Sequence, residues 1–278
     1  MNRLIEDFAA SHNCIIGICD ALPLEEERAR LLATDTPFVI RDIEKRINPA
    51  LSLPGAKSVI VLGKKYIPSP YYNLSSLGTC VDYHTTVKAI LKELAKLLSC
   101  NNTIMVDSGP LAERAFAVKA GLGFWGKNGM VISPLLGSFF NIGLLITDLA
   151  LTPAKPCNLK CPDNCRLCLE ACPANAIGKP TRCISYITQK KGQLTEAEVK
   201  LMDTQLYGCD LCQVCCPINK AAAPSLEENP SVFLSMDEEA YKARFGHTAM
   251  AWRGLKHLQR NAGIQLAKKG DNKCEKYI

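Results

Sequence analysis

Four short runs in the first 150 residues carry apolar residues in unbroken or nearly unbroken order. They are Cys14 to Asp20, Ser58 to Leu62, Thr103 to Asp107 and Ile142 to Asp148. Turn residues bound them, among them Pro54-Gly55 and Ser108-Gly109-Pro110. Runs of this length rich in Ile, Val and Leu predict β-strands. Between the second and third, Val87, Ile90, Leu91, Leu94, Leu97 and Leu98 recur at helical spacing, which predicts an amphipathic helix lying on a sheet. A second helix is predicted over LAERAFAVKA (111–120), starting just after Pro110 and ending at Gly121, a residue suited to a left-handed C-cap. The pattern as a whole predicts an α/β (α+β) domain over residues 1–150.

At Thr152-Pro153-Ala154-Lys155-Pro156 the texture changes, because prolines and cysteines replace the apolar runs. A domain boundary is therefore expected near residue 150. Residues 151–224 read as a cysteine-rich domain. Residues 225–278 read as a helical C-terminal cap, with Asp237-Glu238-Glu239 opening one helix and Arg260-Asn261 inside the last.

With 278 residues and 47% hydrophobic content, the chain can bury a substantial core. No run approaches the roughly 18 apolar residues of a membrane span. Glu6 and Asp7 interrupt the apolar stretch at the N-terminus, so no secretory signal is expected there. The expectation is a cytoplasmic protein without a membrane partner.

Cysteine is the outlier, with 15 in the chain. In a reducing compartment such a number points to metal rather than to disulfides. Cys14, Cys19, Cys80, Cys100 and Cys274 are scattered and read as ordinary small residues. The others fall between Cys157 and Cys216. Residues 161–173 read C-PDN-C-RL-C-LEA-CP and residues 209–217 read C-DL-C-QVC-CP, with Cys183 between them. The bacterial ferredoxin run places closely spaced cysteines before a Cys-Pro whose sulfur ligates the other cluster, and that signature occurs here twice. Zinc needs paired knuckles but no following Cys-Pro, so two [4Fe-4S] clusters are the stronger reading. By the crossing rule Cys161, Cys165 and Cys168 join Cys216 on one cluster, and Cys172, Cys183, Cys209 and Cys212 hold the other. Cys157 and Cys215 are left over. Three residues rather than two separate Cys161 from Cys165, so Cys157 remains an alternative to Cys161. Such clusters carry electrons and need a separate reaction centre.

Residues 104–132 read IMVDSGPLAERAFAVKAGLGFWGKNGMVI. Gly121, Gly123 and Gly126 match G-x-G-x-x-G in form, and Gly121 to Asn128 nearly match a phosphate-binding loop. Both matches are rejected: the glycines follow a helix instead of opening one, and Asn128 has no hydroxyl for magnesium. The glycines are expected instead to let the backbone approach a large flat ligand. Asp107, leaving a predicted strand, is the candidate for chemistry, with a turn or N-cap role as the plainer alternative.

Three motifs in order, VDSGPLAERAFAVKAGLGFWGKN, RCISYITQKKG and YGCDLCQVCCPINK, resemble those of the epoxyqueuosine reductases, cobalamin-dependent iron-sulfur enzymes of queuosine biosynthesis. The similarity runs from about residue 37 to 265 and takes in LPGAKSVIVLG (53–63), DYH (82–84) and RGLKHLQRNA (253–262). The resemblance implies a cobalamin-binding and catalytic domain over 1–150 and a ferredoxin-like double-cluster domain over 151–224. It implies reduction of epoxyqueuosine in a tRNA anticodon loop, by cobalamin fed from the two clusters and an external electron donor, in a monomeric protein. Asp107 matches the family's catalytic aspartate. Arg41, His84, Val131, Ile142 and Tyr186 match positions that contact cobalamin.

Many members continue into a C-terminal helical-repeat extension, whereas this sequence stops at Ile278. The net charge of +6 favours RNA mildly. Lys190, Lys191, Arg253, Lys256, Arg260, Lys268 and Lys269 are candidate phosphate contacts, and solvated helix faces are the plain alternative. A related cobalamin reductase acting on a halogenated or other epoxide substrate, and a plain electron-transfer protein, are the rival functions.

Overall fold

The computed structural model describes residues 1–33, 38, 40–220, 223–271 and 274. Residue 37, residues 221 and 222 of the cysteine-rich segment and the final residues of the 225–278 cap lie outside the described residues. The chain divides into two compact units, Met1–Lys65 with Tyr83–Cys165, and Tyr66–Asp82 with Arg166–Ile278.

Six strands are described in the first unit: β1 (Cys14–Asp20), β2 (Ser58–Lys65), β3 (Asn102–Met105), β4 (Phe124–Trp125), β5 (Val131–Ile132) and β6 (Phe140–Thr147). Four form one sheet in the order β1-β2-β6-β3, and β4 pairs with β5 as a separate hairpin. Every ladder is antiparallel, with Ile60 of β2 facing Ile18 of β1 on one side and Leu145 of β6 on the other. The sheet is therefore of the α+β kind, and the strand-end rule for open parallel sheets does not explain the position of Asp107.

Alternation along the central strands assigns the two faces. Val59, Val61, Leu144 and Ile146 share a core with Phe116 and Ala117 of the helix Glu113–Lys119, together with Leu24 and Ile47. The helix Tyr83–Leu98 buries Val87, Ile90, Leu91, Leu94 and Leu98 and packs on β6 and β2. Each such side chain contributes on the order of 1.5–3 kcal/mol when fully buried. Leu97, counted with the apolar stripe in the sequence, stays 47% exposed because it lies at the stripe's edge.

Two expected boundaries shift for local reasons. The third strand ends at Met105, not at Asp107, because Asp107 takes φ +53° and the Ser108 N–H folds back onto the Val106 carbonyl at 2.7 Å. Residues 151–154 belong with the first unit: Ala154 N donates to Ile18 O at 2.8 Å, Leu151 N to Ser58 Oγ at 3.0 Å and Asn2 Nδ2 to Thr152 O at 2.8 Å.

The glycine cradle expected for a ligand is filled by the protein itself. A Cβ on Gly123 would stand 2.3 Å from Ile132 O, and one on Gly121, at φ +79°, would stand 2.3 Å from Lys155 O. These residues let β5 and the 155 segment press on the end of the preceding helix.

In the second unit the helices Pro230–Ser235, Glu238–Phe245 and Leu255–Lys268 enclose Leu74, Leu206, Tyr207, Phe233, Tyr241, Phe245, Met250 and Leu258. Asp237 caps its helix by accepting the Ala240 N–H at 2.8 Å. Asn261, fully buried, donates to Thr188 O at 2.8 Å and Leu206 O at 2.7 Å. The last helix is thereby tied into the cysteine-bearing segment, so 225–271 and 166–220 share one unit. Among the described residues no helix is long and apolar enough to cross a membrane.

Candidate active site and cluster ligands

Asp107 leaves β3 in the left-handed region, at a cost for a non-glycine residue of roughly 1–3 kcal/mol. Side chains from two helices meet it. Tyr83, the first residue of its helix, donates from its hydroxyl to Asp107 Oδ2 at 2.6 Å. His84 Nε2 stands 3.8 Å from the same oxygen, and its ring stacks on Tyr83 with centroids 4.2 Å apart. From the other side the half-buried Glu113 accepts the Asp107 N–H at 2.6 Å. Burial, reinforced by the Asp107 carboxylate, pushes the Glu113 carboxyl up to about 8. The Asp107 side chain itself is 64% exposed. An exposed carboxyl held by a phenol, beside an imidazole and a proton-retaining carboxyl, is equipped to deliver a proton to a ligand that docks on it.

The other expected contacts separate. Ile142, on β6, is half-buried and keeps surface available. Val131, on β5, is 3% exposed and packed in the first core, which leaves its main chain as its contact surface. Arg41 is exposed immediately before the helix Ile43–Ile47. Tyr186 lies in the second unit, against Ile187, Val199, Met202 and Ile264. Asp107 and His84 stand together, Ile142 keeps the kind of apolar surface that a large flat ligand needs, and Val131 offers such a ligand only its backbone.

Cys161 and Cys165 belong to the first unit, and Cys168 and Cys216 to the second. The loop bearing the first pair is clamped by Lys127, whose Nζ donates to the carbonyls of Pro162 at 3.0 Å, Asp163 at 2.8 Å and Cys165 at 2.8 Å. In the second unit Cys172, Cys183, Cys209 and Cys212 come together. Burial first, and then the neighbouring Cys183 and Cys172 thiols, push Cys209 up to about 12, and Cys212 rises through burial and the same neighbours. Cys172 Sγ also accepts the Ala176 N–H at 3.3 Å. Thiols that penalise one another's ionisation and receive backbone N–H bonds suit a cluster whose iron holds them as thiolates. Among the described residues no three potential ligands converge around the position of a single ion.

Tyr83, Glu113 and Lys127 lie inside the motifs that carry the resemblance, but the sequence assigns none of them a role. Tyr83 reads as the first core residue of a helix, and the partners of Glu113 and Lys127 appear only once the turns close.

Several basic residues proposed for phosphate have internal partners. Arg260 donates to the carbonyls of Lys190 at 2.6 Å, Gly192 at 2.6 Å and Thr188 at 3.2 Å, and burial lowers its basicity to about 10. Lys190 pairs with Glu198 at 2.7 Å and Lys269 with Glu227 at 3.0 Å, while Lys268 donates to Asp203 O at 3.2 Å. Lys191 and Lys256 are exposed.

The family model described as epoxyqueuosine reductase QueG, DUF1730, matches residues 46–108, and that of the 4Fe-4S double cluster binding domain matches residues 157–219. The epoxyqueuosine reductase of Bacillus cereus is 36% identical, over 91% of this chain and 76% of its own length. This chain belongs to the epoxyqueuosine reductase family. The Bacillus subtilis member is 35% identical, over 89% of this chain and 71% of its own. Among solved structures, the epoxyqueuosine reductase of Streptococcus thermophilus superposes with a TM-score of 0.86 at 34% identity, covering 98% of this chain and 82% of its own. A crystal structure of epoxyqueuosine reductase with a tRNA-Tyr epoxyqueuosine-modified stem loop gives 0.86 at 31% identity, covering 99% and 84%. As in that family, residues 157–219 form a double [4Fe-4S] domain.

Proposed function

We propose that this chain reduces epoxyqueuosine in a tRNA anticodon stem-loop to queuosine, with Asp107 as the proton donor. The observation that carries the reading is the exposed Asp107 carboxyl held by the Tyr83 hydroxyl at 2.6 Å, within a chain of this family. Removal of the epoxide oxygen consumes two electrons and two protons, forms the alkene and releases water. Cobalamin, when bound, supplies a reduced metal nucleophile for the epoxide carbon, and the two clusters feed it electrons from an external donor.

The chain's own residues serve the oxygen. Asp107 accepts the Tyr83 O–H on Oδ2, which leaves Oδ1 of this exposed carboxyl to take a proton from solvent and deliver it to the departing alkoxide, the second proton that releases water arriving by the same route. Tyr83 fixes the direction of that proton, and His84, 3.8 Å from Oδ2, supplies an imidazole beside the carboxyl. Within the first unit His84 and Ile142, the main chain of Val131, and Arg41 would hold the corrin, with no position for cobalt ligation assigned. The eight cysteines assigned by spacing would hold the clusters. Lys191 and Lys256, exposed where Arg260 is held by three carbonyls, are the stronger candidates for phosphate.

The test is anaerobic reconstitution with iron, sulfide and cobalamin, incubation with an epoxyqueuosine-bearing anticodon stem-loop and reductant, and mass analysis of the released nucleosides. Conversion of epoxyqueuosine to queuosine is expected. Protein that retains both clusters and corrinoid yet leaves epoxyqueuosine unchanged would contradict the reading.

A further inference from the structure

Glu113 opens the helix Glu113–Lys119, and its Oε1 accepts the Asp107 N–H at 2.6 Å. That bond spans the Ser108-Gly109-Pro110 turn and closes on a residue at φ +53°. A left-handed aspartate persists only where its surroundings hold it. Two bonds do so here, one from each end of the residue: Tyr83 on the carboxyl and Glu113 on the main-chain N–H. The charged groups bearing on Glu113 are Asp107, in the turn two residues past β3, and Arg114 on its own helix. Tyr83 controls where the carboxyl points, whereas Glu113 controls whether the turn that carries it stays closed.

We propose that Glu113 is a positioning residue for the reaction, a latch that holds the Asp107 turn closed through the Asp107 N–H so that the carboxyl meets both Tyr83 and the epoxide oxygen. This role rests on the proposed reduction and adds to it a residue that touches neither substrate nor cofactor. Its raised pKa supports the assignment, since a carboxyl that keeps its proton near neutrality can accept the N–H without setting a second negative charge against Asp107. Gln in its place retains an acceptor oxygen; Ala and Leu retain none.

The experiment is single-turnover reduction of an epoxyqueuosine stem-loop by reconstituted, prereduced enzyme, in a cycle of Glu113→Ala, Asp107→Asn and the double variant. Glu113→Ala should lose about tenfold in rate with iron content, corrinoid content and stem-loop affinity unchanged, while Glu113→Gln stays within about threefold of wild type. On the Asp107→Asn background Glu113→Ala should cost nothing more, because the latch then has no proton donor to position. Should Glu113→Ala fail to fold, Glu113→Leu, closer in size, takes its place. A loss of full size on the Asp107→Asn background would overturn the latch, as would a fully active Glu113→Ala beside a slow Asp107→Asn. An Asp107→Asn with the wild-type rate would overturn the proton-donor reading and the latch together, so the two failures are distinguishable.

Discussion

The Tyr83 hydroxyl donates to Asp107 Oδ2 at 2.6 Å, joining the first turn of the sheet-covering helix to the residue that leaves β3. The same helix that buries Leu91 and Leu94 therefore orients the proposed proton donor. Tyr83→Phe keeps the ring's packing and removes only the donor. A lost hydrogen bond to a carboxyl corresponds to roughly 1.5–3 kcal/mol, so the single-turnover rate should fall by about 10- to 100-fold. Iron and corrinoid content should be unchanged, and a rate equal to wild type would remove Tyr83 from the mechanism.

The cysteine set wholly within the second unit makes a separate prediction. Cys183→Ala should lower reconstituted iron from about eight to about four per chain, because one of two four-iron clusters loses a ligand. Cys215→Ala should leave about eight, since the spacing leaves Cys215 without a role. Iron and labile sulfide analysis with electron paramagnetic resonance of the reduced protein reads both outcomes.

Much of this was legible in the sequence where a pattern repeats. The apolar runs at 14–20 and 58–62 and residues 142–147 of the fourth lie in strands, and the stripe from Val87 to Leu98 lies in a helix, because burial on a fixed face demands period two or period 3.6. Cysteine spacing marked the clusters for the same reason. What stayed hidden depends on turns that bring distant atoms together. The two-residue strands β4 and β5 are too short to show a period. Gly123 signals a close approach but not its partner, which is Ile132 O and not a ligand. Arg260 reads as surface charge, yet its guanidinium binds three carbonyls of the 188–192 segment.

Lys127 tests whether a single ammonium stabilises a cluster loop. Lys127→Met would leave the carbonyls of Pro162, Asp163 and Cys165 without this donor. Iron release to a chelator from the reconstituted protein should become several-fold faster in one kinetic phase, corresponding to about half the iron. Release kinetics identical to wild type would show that the loop holds without the clamp.

Glu113 should leave a signature in stability against pH. Its carboxyl is raised in the folded protein from an ordinary 4.5 to about 8, so the unfolded chain releases this proton first. The stability it contributes is complete below about pH 4.5 and is lost as pH rises toward and through about 8. The difference in urea midpoint between wild type and Glu113→Gln should therefore drift against the wild type across that window. A constant difference would contradict the raised value.

The most direct test of the account is the rate of epoxide reduction by Asp107→Asn under single-turnover conditions with prereduced enzyme, which separates proton delivery from electron supply. Asn preserves the shape and the left-handed preference but has no acidic proton to give. With both clusters and corrinoid at wild-type content, the rate should fall on the order of 10²-fold or more. A rate within about threefold of wild type, far below the loss expected for a general acid, would contradict it.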